Sequence, residues 1–267
     1  VNDAGGDFNL SGGAYTIDIS DASSVLTNNG TTTWTAGSSG HKTITGSGTF
    51  LNEGDFIHAQ GGGNDNLQLT GSLTFQNNGN FTFVDEGDVN ISSGSAQFRN
   101  AGVVNKTTDP STDPSFFFGN GDFHALAGSE VLSTVAGTRI HIATGGTSDA
   151  GAEWNADGGN IGLGSTWSGT FAGTSSNGGV LRLTDPGSSI EHNITVGTGG
   201  LTFNIGGDGV VWADAAINVN GQSLTNLGVL QIVGTGLKSL QGTMTNSGTT
   251  NVAGDITVTG GEFVNTS

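Results

Sequence analysis

The chain has 267 residues, among them 49 Gly and no Cys, and its formal net charge is −17. This charge disfavours nucleic acids and anionic membranes as partners, and the absence of Cys excludes disulfides and thiolate chemistry. No apolar run reaches the roughly 18 residues of a membrane helix, so we expect a soluble protein with no nucleic-acid partner and no membrane insertion.

The predicted elements are short β-strands. Helix-forming residues are scarce, whereas residues 74–76, 80–83 and 256–259 alternate apolar with polar side chains, which is the period of a strand. High Gly content and high net charge are also typical of disorder. The regular alternation favours a folded all-β chain.

One phrase recurs along the chain: an apolar residue, a spacer, Asn, a spacer, Gly, a spacer and usually another apolar residue. Its leading apolar residues are at positions 26, 50, 75 and 98, and again at 224, 244 and 263, with steps of 19–25 residues. The segment from about 125 to 200 lacks it. The Asn positions are Asn28, Asn52, Asn77, Asn100, Asn226, Asn246 and Asn265, and the Gly positions are Gly30, Gly54, Gly79, Gly102, Gly228 and Gly248.

A step of this length suits one coil of a parallel β-helix. The sequence predicts a single solenoid domain over residues 1–267, with roughly 12 coils and a rod roughly 55–60 Å long. In register, the Asn side chains would stack into a hydrogen-bonded ladder at the bends. The Gly residues would supply a backbone conformation that a Cβ disfavours. The chain is then a fragment of a longer solenoid or a filament subunit.

An antiparallel fold is the structural alternative. Asn-Gly dipeptides occur at 29–30, 78–79, 120–121, 177–178 and 220–221, and such dipeptides favour type I′ hairpin turns. They would suit a sandwich or a lectin-like barrel. Hairpins of this kind should recur every 8–12 residues, whereas the full phrase recurs about every 22, so the spacing favours the β-helix.

Residues 242–254, followed by 255–260, resemble the repeats of large bacterial surface proteins, namely autotransporter passenger domains and filamentous-haemagglutinin-like adhesins. The resemblance covers about residues 26–124 and 200–267. It implies a right-handed parallel β-helix that is secreted or displayed at the cell surface. We therefore expect a non-enzymatic extracellular filament subunit or adhesin segment. Its partner would be a second copy bound end to end, or a surface receptor or glycan.

Calcium is the candidate cofactor. Residues 61–67 resemble one copy of the calcium-roll nonapeptide, which nominates Asp65, and the acidic segment 85–88 adds Asp85, Glu86 and Asp88. Calcium takes six to eight oxygen ligands, and rolls obtain them by stacking consecutive copies. Only one copy is present here, so a Gly-rich loop explains 61–67 as well. Residues 109–114 would suit a hard cation or a turn equally.

A carbohydrate-active β-helix enzyme is the alternative function. A lyase needs a basic residue near acidic calcium ligands. A hydrolase needs paired carboxylates. Candidate hydrolase clusters are Glu53 and Asp55 with His58, Asp122 with His124, and the 85–88 segment, but the motifs of that hydrolase family are absent. The basic residues are Lys42, Arg99, Lys106, Arg139, Arg182 and Lys238. Because they are widely separated in the sequence, we assign no catalytic residue.

The aromatic residues leave a third hypothesis, a carbohydrate-binding module. Exposed Trp side chains would serve as sugar-stacking platforms, and buried ones as core. The apolar run 116–118 should cap the core or meet a neighbouring protein. The His residues, at positions 41, 58, 124, 141 and 192, show no metal-ligand spacing. The Trp residues are Trp34, Trp154, Trp167 and Trp212.

Overall fold

The computed structural model describes residues 1–11, 13–35, 41–59, 66–84, 87–108, 115–183 and 193–266. Within these ranges every regular element is a β-strand, and every strand pairing is parallel. The predicted all-β solenoid of stacked parallel coils is therefore confirmed.

The strands of the N-terminal windings are short and follow one another at close intervals. They are β1 (Asp7–Leu10), β2 (Thr16–Ile19), β3 (Val25–Asn28), β4 (Thr31–Thr35), β5 (Lys42–Gly46), β6 (Thr49–Asn52), β7 (Asp55–Ala59), β8 (Leu67–Leu69), β9 (Thr74–Asn77), β10 (Asn80–Val84), β11 (Val89–Ile91), β12 (Gln97–Asn100), β13 (Val103–Thr108), β14 (Ser115–Gly119) and β15 (Asp122–Ala125).

The remaining strands include two long ones, β21 and β23. They are β16 (Glu130–Ser133), β17 (Arg139–Ile142), β18 (Gly146–Ser148), β19 (Glu153–Asp157), β20 (Asn160–Leu163), β21 (Ser165–Ser176), β22 (Leu181–Arg182), β23 (Ile194–Gly207), β24 (Val210–Trp212), β25 (Ala216–Asn218), β26 (Leu224–Asn226), β27 (Val229–Ile232), β28 (Ser239–Gln241), β29 (Met244–Asn246), β30 (Thr249–Val252), β31 (Thr257–Thr259) and β32 (Phe263–Asn265).

The windings stack into three faces. Face 1 contains β1, β4, β7, β10, β13, β16 and β19, and face 3 contains β3, β6, β9, β12, β15 and β18. Face 2 takes one strand from each winding and contains β2, β5, β8, β11, β14, β17, β20, β22, β24, β27 and β30. Because face 2 has 11 strands, the prediction of roughly 12 coils was slightly too high.

The antiparallel alternative is wrong, because every pairing among the described strands is parallel and the Asn-Gly dipeptides connect strands that do not pair with each other. Asn177 and Asn220 do adopt left-handed backbone conformations, with φ of 53° and 52°, and the Gly after each is left-handed as well. The turn chemistry read from the sequence is thus present at these two sites. It leads the chain into the next strand of the winding without forming an antiparallel hairpin.

The core is built from the inward side chains of all three faces. Inward and outward residues alternate, as in β6, where Phe50 and Asn52 are buried and Leu51 is half-buried. The parallel register stacks side chains of the same type in successive windings. Phe50, Phe75, Phe98 and Phe123 form one such column, with successive ring centroids 4.9, 5.0 and 5.4 Å apart. Close aromatic stacking adds to the burial of apolar surface along the axis.

The cross-section changes in the middle of the chain. β21 and β23 run from face 3 into face 1 without a break, and residues 172–175 of β21 pair with residues 204–207 of β23. Among the described residues no later strand pairs with 204–207, so face 1 ends there. Residues 201–203 pair onward with 224–226 of β26. Another column of strands, β25, β28 and β31, begins beside it, so the C-terminal windings again contain three strands each.

Candidate functional site

In the N-terminal windings, the Asn residues of the repeated phrase form a hydrogen-bonded ladder inside the solenoid. Asn28 donates through Nδ2 to Oδ1 of Asn52 at 2.7 Å, Asn52 donates to Asn77 at 2.7 Å, and Asn77 donates to Asn100 at 2.8 Å. The other Nδ2 hydrogens reach backbone carbonyls, such as that of Val103 at 3.1 Å from Asn77. The ladder therefore ties side chains to main chain across successive windings.

Sequence analysis missed the first member of this ladder, Asn2. Its Nδ2 donates to Oδ1 of Asn28 at 2.8 Å. Asn2 precedes Gly6 by four positions, whereas the Asn and Gly of the repeated phrase are two positions apart, so the phrase does not match at Asn2. The available signal was the Gly-Asp-Phe sequence at 6–8, which repeats at 54–56.

A second ladder stands in the C-terminal windings, at a different position of the cross-section. Asn226 donates to Asn246 at 2.6 Å, and Asn246 donates to Asn265 at 2.8 Å. Register places Asn226 opposite Phe203, which pairs with Phe171 of β21. The column of the first ladder instead reaches β21 at Gly169. The two ladders are thus offset by two residues along the strand.

The six Gly residues of the repeated phrase are required for close packing and not for an unusual backbone conformation. None of the six has a left-handed φ, so the expected unusual backbone conformation is wrong. Instead, each corner packs on the corner of the winding below. A Cβ on Gly54 would lie 2.1 Å from the carbonyl oxygen of Gly30, and one on Gly79 would lie 2.1 Å from that of Gly54. The absence of a side chain permits this backbone approach.

Three of the basic residues are buried inside the solenoid. Nζ of Lys42 lies 5.9 Å from the ring centroid of Trp34, a cation–π distance, and Nζ of Lys106 donates to Oγ of Ser115 at 3.1 Å. Lys238 donates to the carbonyl oxygens of Ala213, Gly234 and Gly236 at 2.9–3.0 Å. These lysines act as internal structural cations. On the outer surface, Nε of Arg99 donates to Oε1 of Gln76 at 3.3 Å.

We expect Lys238→Met to destabilise the fold by about 2–3 kcal/mol, because a buried ammonium and its hydrogen bonds to three carbonyl oxygens are lost. The adjacent Leu237 is 92% exposed, so Leu237→Ala should change the free energy of unfolding by less than about 0.5 kcal/mol. Urea unfolding of both variants measures the difference. Equal unfolding midpoints for the two variants would contradict a structural role for the Lys238 ammonium.

The candidate cluster of Glu53, Asp55 and His58 is not brought together. Glu53 and Asp55 are exposed and accept hydrogen bonds from Asn78 and Asn80, respectively, each at 2.8 Å. His58 points into the core, where Nε2 lies 2.9 Å from the carbonyl oxygen of Asp88. Burial lowers the pKa of His58 to about 4; the bond to Asp88 raises it and the charge of Lys42 lowers it further.

Stability should therefore fall as pH decreases from 6.5 to about 4. Below its ordinary pKa of 6.5 the imidazole takes up a proton in the unfolded chain but not in the folded one. The full loss is about 3 kcal/mol. In His58→Phe this part of the pH dependence should disappear, whereas His41→Phe, at an exposed site, should keep it. Urea unfolding at a series of pH values tests both, and an unchanged slope in His58→Phe would refute the assignment.

The predicted calcium ligands fall mostly outside the described residues. This holds for Asp65, Asp85 and Glu86, and for the 109–114 segment. Asp88 is half-buried, and its Oδ1 accepts a hydrogen bond from the backbone N–H of Phe116 at 2.9 Å. Across the described ranges no three His, Asp or Glu side chains group as a metal site. Calcium binding stays a prediction.

The aromatic residues pack into the core. All four Trp side chains are at most 2% exposed, and three of their indole N–H groups have partners, as in Trp154, which donates to Oγ of Ser148 at 3.0 Å. None of them is an exposed platform for a sugar ring. In the 116–118 run, Phe117 is fully buried, whereas Phe116 and Phe118 are half-buried on the outer side of β14.

Asp122 and His124, by contrast, lie at a groove on the outside of face 3. The groove has a volume of about 420 Å³, and its lining also includes Thr147, Ser165 and Ser168. His124 Nδ1 lies 2.7 Å from Oγ1 of Thr147. Its Nε2 is buried without a hydrogen-bond partner among the described residues.

Partial burial of the His124 imidazole disfavours its charged form. Burial lowers the pKa of His124; the charges of Asp122 and Asp149 raise it, and that of Arg99 lowers it. Ser165 enters β21 with a left-handed φ of 70°, which is costly for a residue with a side chain. Sequence analysis found Asp122 and His124 from their i, i+2 spacing but missed the hydroxyl residues, which come from other windings.

Comparison of the chain with protein-family models, with curated proteins and with solved structures finds no match. In the part of the chain that the structure describes, no helix is long and apolar enough to cross a membrane.

Proposed function

We propose that this protein is an extracellular, non-enzymatic solenoid that serves as a surface filament subunit or an adhesin segment. The observation that carries the proposal is the axial continuity of the interior. Asn ladders, stacked Phe rings and parallel backbone pairing all run from winding to winding. Because these interactions run parallel to the solenoid axis, they stiffen the rod along its length. With about 4.8 Å between strands, 11 strands span about 48 Å.

The extracellular location rests on the resemblance of the repeats to bacterial surface proteins. A surface with a net charge of −17 also repels copies of itself side by side, which favours contact at the ends of the rod. The proposed partners are a second copy bound end to end, or a surface receptor or glycan. Calcium would offset the repulsion between copies.

Electron microscopy and sedimentation of the purified chain test the proposal, with and without calcium and over a range of concentrations. We expect rods that join end to end. Monomers under all conditions would refute the filament form, and compact particles would refute the scaffold itself. Protease treatment of intact producing cells tests the location, since a displayed solenoid should be cleaved.

The carbohydrate-active alternative is tested separately, by incubating the chain with a panel of polysaccharides. We expect neither new reducing ends nor unsaturated products. Release of either product would replace the scaffold proposal with an enzymatic one, and Asp122 and His124 would then be the first residues to substitute.

A further inference from the structure

The floor of the face 3 groove is a line of polar side chains that only the register brings together. His124 of β15 lies opposite Thr147 of β18, which lies opposite Ser168 of β21. Asp122 precedes His124 by two residues and therefore points to the same outer side. Along the axis these groups repeat at the strand spacing of about 4.8 Å.

The wall of the groove is a bulge in β23. Val196 lies opposite Trp167, and Leu201 lies opposite Gly169, so residues 197–200 together oppose the single residue Ser168. The backbone of Gly197 packs against Ser168, since a Cβ built on it would lie 3.3 Å from that residue's Cβ. Bulges of this kind redirect a strand and are frequent next to functional sites.

The chemistry of the lining selects a ligand class. The lining carries the hydroxyl groups of Thr147, Ser165, Thr166, Ser168 and Thr198, and a hydroxyl both donates and accepts hydrogen bonds. The hydroxyl of Thr144 is buried and donates to the carbonyl oxygen of Gly145 at 3.0 Å. Apart from the imidazole of His124, no described lining residue is aromatic or purely aliphatic, so an apolar ligand finds no matching surface. The carboxylate of Asp122 and the net charge of −17 repel polyanions.

We propose that this groove binds a neutral saccharide chain, whose hydroxyl groups pair with Asp122 and with the line formed by His124, Thr147 and Ser168. The inference rests on the proposed adhesive function and specifies its glycan partner. A sugar chain repeats its donors and acceptors at regular intervals, as the stacked windings do. Binding is by hydrogen bonds without aromatic stacking, so each site is weak, with a dissociation constant of about 1 mM.

Saturation-transfer NMR with the full chain tests the proposal, using cellohexaose, maltohexaose, mannohexaose and chitohexaose as neutral probes and a galacturonate hexamer as the anionic probe. We expect at least one neutral probe to bind and the anionic probe not to bind. Thr147→Val removes one hydroxyl with little change of shape and should weaken binding about three- to tenfold. Ser168→Phe places a ring in the groove from an outward position and should abolish binding.

Thr43→Val is the matched control, because Thr43 is a half-buried outer residue of β5 on face 2. It should leave binding unchanged, and circular dichroism verifies that all three variants are folded. No binding of any neutral probe at about 10 mM overturns the inference. So does binding that survives Ser168→Phe, or preferred binding of the anionic probe. Rods and filaments seen by microscopy would still stand in those cases, so the two proposals fail separately.

Discussion

Gly79→Ala should be among the most destabilising single substitutions in the N-terminal windings. The new Cβ would lie 2.1 Å from the carbonyl oxygen of Gly54 and 2.8 Å from the carbonyl carbon of Glu53. Relief requires the corner to move by more than 1 Å, although its N–H groups are bound to the winding below, as in the 3.0 Å bond from Gly79 to the carbonyl of Asn52. We expect a loss of about 3 kcal/mol or more in the free energy of unfolding.

Gly94→Ala is the matched control for this effect. Gly94 also lacks a left-handed φ, and the nearest atom to a Cβ built there is the carbonyl oxygen of Asn120, at 3.6 Å. This substitution should be neutral or slightly stabilising, since Ala restricts the unfolded chain. Urea unfolding followed by circular dichroism compares the two. If both variants unfold at the same midpoint, close packing of the corners is not what requires Gly79.

Asn77→Leu should cost about 3–5 kcal/mol, because it removes three hydrogen bonds at a fully buried position. Oδ1 of Asn100 would lose its donor while remaining buried. Asn52 would retain its bonds to the carbonyls of Gly54 and Asn80. The damage should therefore fall on the winding that follows Asn77 more than on the one before it.

The adjacent Asn78 provides the control, since it is exposed and its side chain makes exposed hydrogen bonds, donating to Glu53 and accepting from Gln76. Asn78→Ala should cost less than about 1 kcal/mol. Unfolding midpoints in urea measure both effects, and hydrogen exchange locates them. Uniform exchange across all windings in Asn77→Leu, or equal midpoints for the two variants, would show that the ladder is not a principal source of stability.

The solenoid could be predicted because the repeated residues stack on the equivalent residues of the next winding. Phe50 and Asn52 lie opposite Phe75 and Asn77 at the spacing of the phrase. The predicted reason for the Gly residues was wrong. Their φ angles are not left-handed, and a side chain is excluded by the backbone of the neighbouring winding. The predicted number of coils was slightly too high, and the middle windings preserve the register without the phrase. Ala125 and Ser148 continue the column of Asn100 there.

The face 3 groove could be predicted only in part. Asp122 and His124 share one strand, so their common side follows from a period of two. Thr147 and Ser168 belong to other windings, in a segment without the phrase, and nothing local marks them as neighbours. The bulge at 197–200 is likewise a property of register. Burial of Lys42, Lys106 and Lys238 ran against the ordinary preference of Lys for the surface, which composition alone cannot reveal.

The two-residue offset between the ladders restricts how the chain can be lengthened. Duplicating a unit such as 75–97 within the N-terminal array would place each amide above an amide, and duplicating 224–243 would do the same in the C-terminal array. Between the arrays, the column of Asn100 continues through Gly169 to Leu201 and Leu224, so an Asn placed in that column at β21 would meet apolar side chains on its C-terminal side. β21 and β23 thus act as an adaptor between two modular arrays, each of which can grow by copies of its own unit.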